Sequence, residues 1–157
     1  MRNIGKLIVS ILACQAVGAM GAVFTAGSVN TWYAGLSKPS FNPPDWLFAP
    51  VWTLLYILMG IAAFFVWRKG TQNRPVKIAL IVFLVQLILN VLWLVVFFGL
   101  ESPLSGLIVI VVLWVALLVT VLRFFKISRV ASILLWPYLL WVTFAAVLNG
   151  SIWLLNQ

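Results

Sequence analysis

No charged residue occurs between Trp46 and Trp67, and the same holds for Leu7–Gly27, Ile78–Gly99, Leu104–Leu122 and Val130–Leu155. Each run is close to the ~20 residues that a helix needs to cross the hydrocarbon core of a bilayer. Only 8% of the chain is charged, against about 25% in a soluble domain, so it cannot cover itself with a surface that water accepts. The expectation is an all-α integral membrane protein: one domain over residues 1–157, built as a bundle of five transmembrane helices. The spans are read at about 6–27, 46–67, 78–99, 104–122 and 130–155, in contact with the lipid bilayer. The first is too long for a signal-peptide core and has no cleavage pattern after it.

The charges that do occur are distributed by side. The N-terminus (Arg2, Lys6), the 68–77 link and the 123–129 link hold nine of the ten basic residues; the other side holds Lys38, Asp45 and Glu101. The positive-inside rule then places the N-terminus in, the long 28–45 loop out and the C-terminus out. A prokaryotic cell membrane is the expected location. The net charge of +8 therefore sets topology, and no basic stripe remains to serve nucleic acid.

Several kinds of chemistry lack their residues. With one cysteine (Cys14) and no histidine, neither an intramolecular disulfide nor a common metal site is expected. No carboxylate lies within a span, which argues against a proton relay. There is no glycine-rich phosphate loop, and general acid–base catalysis has almost no group to perform it.

What the spans do contain is polar and aromatic residues in register. In the first, Cys14, Gly18, Ala22 and Ala26 step by four, a small-residue stripe that lets another helix approach closely. In the second, Trp52, Tyr56 and Met59 or Ala63 share a face. In the third, Gln86, Asn90, Trp93 and Phe97 do so, and in the fifth Tyr138, Trp141, Ala145 and Asn149. Two readings are open. The stripes are either interhelical packing joined by hydrogen bonds, at roughly 1 kcal/mol each, or the walls of a shared pocket with flat aromatic faces and a few polar anchors. Tryptophan is a bulky filler for a tight helix interface, which favours the pocket. The external loop supports it: Pro39, Pro43 and Pro44 stiffen the backbone, and Trp32, Tyr33, Phe41, Trp46 and Phe48 give it apolar weight. It reads as a lid over the pocket mouth, carrying Lys38 as its one cation, although an interfacial aromatic belt is the alternative.

The ordered set WYAGLSKPSFNPPDWLFAPVWTLLYILMGIAAFFVW, then Asn90-x-x-Trp93 with Phe97-Phe98-Gly99, then Trp136-Pro137-Tyr138-Leu139-x-Trp141 and Leu148-Asn149, resembles the TspO/MBR family. These are the tryptophan-rich sensory proteins, with the translocator protein, or peripheral-type benzodiazepine receptor, as mammalian relative. The resemblance covers nearly the whole chain. It implies a five-helix bundle, often a homodimer, with a pocket opening toward the first external loop. It implies binding of porphyrins such as protoporphyrin IX, of haem-related tetrapyrroles and of other hydrophobic small molecules. Ligand-binding positions carried over are Trp52, Tyr56, Asn90, Trp93, Trp141, Ala145 and Leu148. With a porphyrin as the ligand that the resemblance implies, Trp52, Trp93 and Trp141 are expected to stack on the macrocycle and Asn90 or Asn149 to anchor a polar edge.

The resemblance also implies an alternative, since some bacterial members of the family are reported to break down protoporphyrin in light, with the tryptophans matching Trp52 and Trp141 implicated. A photo-oxidative activity at those two residues is thus an alternative to a receptor-like role, and transport of tetrapyrroles or amphipathic solutes is a third. No cofactor is required; the porphyrin enters as ligand. Without histidine the commonest haem iron ligand is missing, so a metal-free porphyrin, or haem held by its faces and propionates, is expected. The cholesterol pattern proposed for vertebrate members, a Tyr followed shortly by Lys or Arg in the last helix, does not form in the tail AAVLNGSIWLLNQ. Val29, Tyr33 and Lys38 meet only its loose form, which argues against cholesterol transport.

Overall fold

The computed structural model describes residues 2–157. Its five long helices are α1 (Arg2–Ser28), α2 (Asp45–Trp67), α3 (Arg74–Leu94), α4 (Pro103–Phe125) and α5 (Arg129–Leu155). All five are long and apolar enough to cross a membrane. The helices start earlier than the apolar runs: Arg2, Arg74 and Arg129 are helical, as is Lys77. Apolarity marks the hydrocarbon core, whereas the helix continues through the headgroup layer, where basic side chains are at ease.

Local signals set the ends. Ser102 and Ser128 cap α4 and α5, their hydroxyl oxygens accepting from the N–H groups of Ser105 and Ala131, each satisfying one of the free donors of a helix start. Pro103 sits in the first turn of α4, where a missing N–H costs nothing. α3 runs on into a π-helical turn, Val95–Gly99, in which Leu100 N–H donates to the Val95 carbonyl at 2.9 Å. Glu101 then takes φ 54°, and the chain reverses into α4.

The helices close into a ring in the order α1, α2, α5, α4, α3 and back to α1. α4 is pinned to α5 by Ser132, whose hydroxyl donates to the Val121 carbonyl at 3.0 Å, and by the Trp114 indole N–H, which donates to Thr143 Oγ1 at 2.8 Å. α1 meets α2 at Gly60, where an added Cβ would stand 2.6 Å from Ile11 Cα and 2.9 Å from its nitrogen. Backbone touches backbone there, so no side chain can rotate away. Ile88, Ile108 and Ile133 are exposed on the outer surface, an arrangement suited to lipid rather than water as the solvent.

The link from 29 to 44 is ordered at many points. Its short 3-10 turn, Tyr33–Gly35, buries Tyr33, whose hydroxyl donates to Asn42 Oδ1 at 2.9 Å. Trp32 meets Phe97 edge-on at 5.4 Å, and Phe41 meets Phe144 at 6.2 Å. Lys38 Nζ donates to the carbonyls of Tyr33, Leu36 and Ala34 at 2.8, 3.1 and 3.4 Å. The far end of the chain also holds the link: Asn156 accepts from Ser37 N–H at 3.0 Å and donates to the Ser37 carbonyl at 2.8 Å. Ser28 Oγ donates to the Phe98 carbonyl at 2.6 Å, fixing the point where the link leaves α1.

Gly60→Ala is expected to destabilise the bundle by about 1–3 kcal/mol, the usual cost of overpacking, seen as a lower unfolding midpoint in detergent. Gly27→Ala, where an added Cβ meets nothing within 4 Å, should not lower it. Asn156→Ala should speed proteolysis between residues 36 and 42 without moving the midpoint comparably. Burial, followed by the nearby Asp45 charge, raises the Tyr33 pKa to about 12, with Asn42 acting in the opposite direction. The neutral phenol is thus the folded form. Its contribution to ordering the link should be complete below pH 10 and be lost as pH rises from 10 toward 12, which proteolysis across that range would register.

Candidate functional site

A cavity of about 570 Å³ lies inside the ring at the end covered by the 29–44 link. α1 gives it a wall of small residues, among them Gly18, Ala22 and Ala26. α2 contributes Phe48, Ala49, Trp52 and Tyr56; α3 and its π-helical turn contribute Trp93 and Phe97; α5 contributes Trp141, Ala145, Leu148 and Asn149. Asn30, Tyr33 and Asp45 line the mouth.

The aromatic side chains hold one another. The Trp52 ring stacks on Tyr56 with centroids 5.6 Å apart and stands 6.3 Å from Trp93 and 6.2 Å from Tyr138. Trp141 is framed by Phe48 at 6.0 Å and Phe144 at 5.4 Å. Such offset and edge-on contacts are the favoured ones between rings, and they leave the indoles little freedom to collapse into the space they surround.

One turn deeper, a chain of hydrogen bonds forms the floor. Tyr56 Oη–H donates to Asn90 Oδ1. Asn90 Nδ2–H donates to Tyr138 Oη at 2.9 Å, Tyr138 Oη–H to Gln86 Oε1 at 2.7 Å, and Gln86 Nε2 reaches Met59 Sδ at 3.9 Å. Every donor in the sequence finds an acceptor, and three helices are tied by it. A second junction lies on the wall: Trp93 Nε1–H donates to Asn149 Oδ1 at 3.0 Å, and Asn149 Nδ2–H to the Pro103 carbonyl at 2.8 Å. Against this satisfied background one buried polar atom stands out. Among the described residues, the Trp141 indole N–H has no partner.

The residues singled out from the sequence fall into three groups. Trp52, Tyr56, Trp93, Trp141, Ala145, Leu148 and Asn149 are brought together around the cavity, with Tyr33 at its mouth. Asn90 does not line it; fully buried, it holds Tyr56 in place from below. Asn149 lines it with both amide ends already engaged, its Oδ1 keeping one lone pair free. Of the loop residues, Trp32 packs on Phe97 and Lys38 binds backbone carbonyls. Pro44 immediately precedes α2 with φ −61°, and Pro39 and Pro43 stay within the link. Trp46, 71% exposed, stands outside the lid, where an interfacial indole belongs.

Three contributions were not singled out as site residues. The α1 stripe reads as a surface for close helix approach, and part of it is that: an added Cβ at Gly18 would stand 2.7 Å from the Tyr56 ring. Ala22 and Ala26, from the same stripe, instead face the cavity, together with α1's Ala19. The two uses share one signature, since a small residue leaves room for a neighbour of any kind. Phe97 stood on the third-helix stripe read as a pocket wall but was not carried into the ligand-binding set, and Phe48 was read as part of the lid; both line the cavity. Asp45 was counted only for topology, although it lies beside the aromatic cluster in sequence.

A family model, that of the TspO/MBR family, matches residues 10–154. The chain is 51% identical to the tryptophan-rich protein TspO of Archaeoglobus fulgidus, over 98% of this chain and 99% of that one. It is 46% identical to the protein of the same name from Chlorobaculum tepidum, over 99% and 98%. With the translocator protein of Homo sapiens it shares 36% identity over 85% of this chain and 80% of the human one. Five membrane-crossing helices, the tryptophan-lined cavity they enclose and similarity over almost the entire length lead to one conclusion: this chain belongs to the TspO/MBR family.

Proposed function

We propose that this protein is a receptor-like membrane protein that binds a porphyrin or related tetrapyrrole between α1, α2, α3 and α5. The observation that carries the reading is a cavity of about 570 Å³ faced by three indoles, Trp52, Trp93 and Trp141. Its volume falls in the range of roughly 300–1,000 Å³ typical of small-molecule sites, and flat aromatic walls suit a flat macrocycle. The unpartnered Trp141 N–H is closed to water in this structure, and becomes a polar anchor for a ligand if the Trp141 ring turns toward the cavity it lines. A buried donor without an acceptor calls for an explanation, and a carbonyl, carboxylate or ring nitrogen of a ligand would supply one. The distribution of basic residues, read by the positive-inside rule, supports a lid on the outer face of a prokaryotic cell membrane.

A second reading uses the same cavity. Trp52 and Trp141 both line it, so a photosensitising porphyrin held there would have oxidisable indoles against it. Light- and oxygen-dependent degradation of the ligand needs no acid or base from the protein.

Titration of the detergent-purified protein with protoporphyrin IX in the dark, followed by tryptophan quenching, tests the first reading. Saturable binding is expected, weakened about tenfold or more by Trp52→Ala combined with Trp141→Ala. Equal, unsaturable quenching in both proteins would mean partition into the micelle and would overturn it. Trp141→Phe, which keeps a ring and removes the N–H, should weaken binding by roughly twofold to tenfold, the worth of one hydrogen bond. Illumination then separates the two readings: product accumulating over many turnovers indicates an enzyme, whereas loss of tryptophan fluorescence after one equivalent indicates a binder damaged by its ligand.

A further inference from the structure

The cavity carries charge of one sign. Among its lining residues, Asp45 alone bears a formal charge at neutral pH. It opens α2 and stands exposed at the rim. A carboxylate in the first turn of a helix is favourable on its own account, so its presence needs no ligand. Its surroundings are the informative part. The basic residue of the same link, Lys38, is held by three backbone carbonyls and lies 4.9 Å over the Tyr33 ring. The other basic residues sit at the opposite end of the bundle, where α1, α3 and α5 begin and α2 and α4 finish. The remaining charge at the lidded end is Glu101, exposed between α3 and α4, and it is negative too.

Lys38 keeps its charge, but with Asp45 and Glu101 against it the lidded end is net negative, and Asp45 is the charge that lines the mouth; because it is exposed, its repulsion of a like charge is that of a protein surface and is open to screening by salt. At physiological ionic strength a charge is felt over about 8 Å, enough to cover the mouth around Asp45. We propose that Asp45 is a specificity-determining residue that selects ligands presenting a neutral or cationic group at the rim and disfavours an ionised carboxylate edge there. This rests on the tetrapyrrole reading and narrows it. The favoured tetrapyrroles are those whose acidic side chains are esterified or otherwise uncharged. A free dicarboxylate binds less tightly, against the field of the rim.

The test compares protoporphyrin IX, with two ionisable propionates, and its dimethyl ester, in dark titrations of the full chain in an uncharged detergent. Wild type, Asp45→Asn and Asp45→Glu are each measured at low and high salt. Partition of each porphyrin into the micelle is common to all three proteins, so the ratio of the two affinities isolates the effect of the rim. Asp45→Asn is expected to tighten binding of the free acid by roughly threefold to tenfold at low salt, to change the ester by less than about twofold, and to lose most of this difference at high salt. Asp45→Glu should keep the wild-type ratio, which separates charge from any effect on the start of α2. An unchanged ratio in Asp45→Asn, with both porphyrins still binding saturably, overturns the inference and leaves the tetrapyrrole reading standing. Saturable binding of neither porphyrin overturns the tetrapyrrole reading and this inference with it.

Discussion

In a hydrocarbon solvent a polar side chain must find its partner inside the protein, because lipid offers none. Tyr56, Asn90, Tyr138 and Gln86 meet that demand together, each donating to the next across α2, α3 and α5. A run of one-way bonds fixes both the rotation of each helix and its distance from the others. α2 packs closely on α1 and α5 but only lightly on α3. It is the polar chain that bridges the space between α2 and α3, and the cavity occupies that space one turn nearer the lid. Packing apolar side chains into the same gap would close it; a bridge of hydrogen bonds holds it at a set width.

The rest of the site follows from that spacing. Trp52 stacks on the anchored Tyr56, and Trp93, one turn beyond Asn90, is held by Asn149. Opposite them α1 supplies little bulk. Gly18 seats the Tyr56 ring, and an added Cβ at Gly21 would run into Leu94, while the alanines beside them leave volume. The lid is a separate construction. It is fastened from both ends of the bundle's sequence, by Ser28 on α1 and by Asn156 after α5, and its one lysine serves as a cap for its own backbone.

Five charge-free runs made the fold legible, because length and apolarity translate directly into membrane crossings. The helix ends were less so: residues such as Arg74 and Lys77 are helical yet polar, and hydropathy does not register helix that lies outside the hydrocarbon. The aromatic stripes were legible by their spacing, and the structure assigns them both roles that spacing left open. Gln86, Asn90 and Asn149 join helices, while Trp52, Trp93 and Trp141 face a cavity. Which residue takes which role depends on depth along the helix, and a spacing of three or four residues does not encode depth. The wall from α1 was hidden for another reason, since a small side chain is recognised only by what its neighbour fails to fill.

The most direct test of this account is the dark affinity for protoporphyrin IX of Asn90→Leu, a change that keeps the branching and heavy-atom count of the side chain at a residue that does not touch the cavity. If the polar chain sets the width of the site, the variant keeps its five-helix circular dichroism but binds about tenfold more weakly or worse, a loss of at least ~1.4 kcal/mol. Unchanged affinity in a folded Asn90→Leu protein would contradict it, and would place the determinants of the site in the indole walls alone.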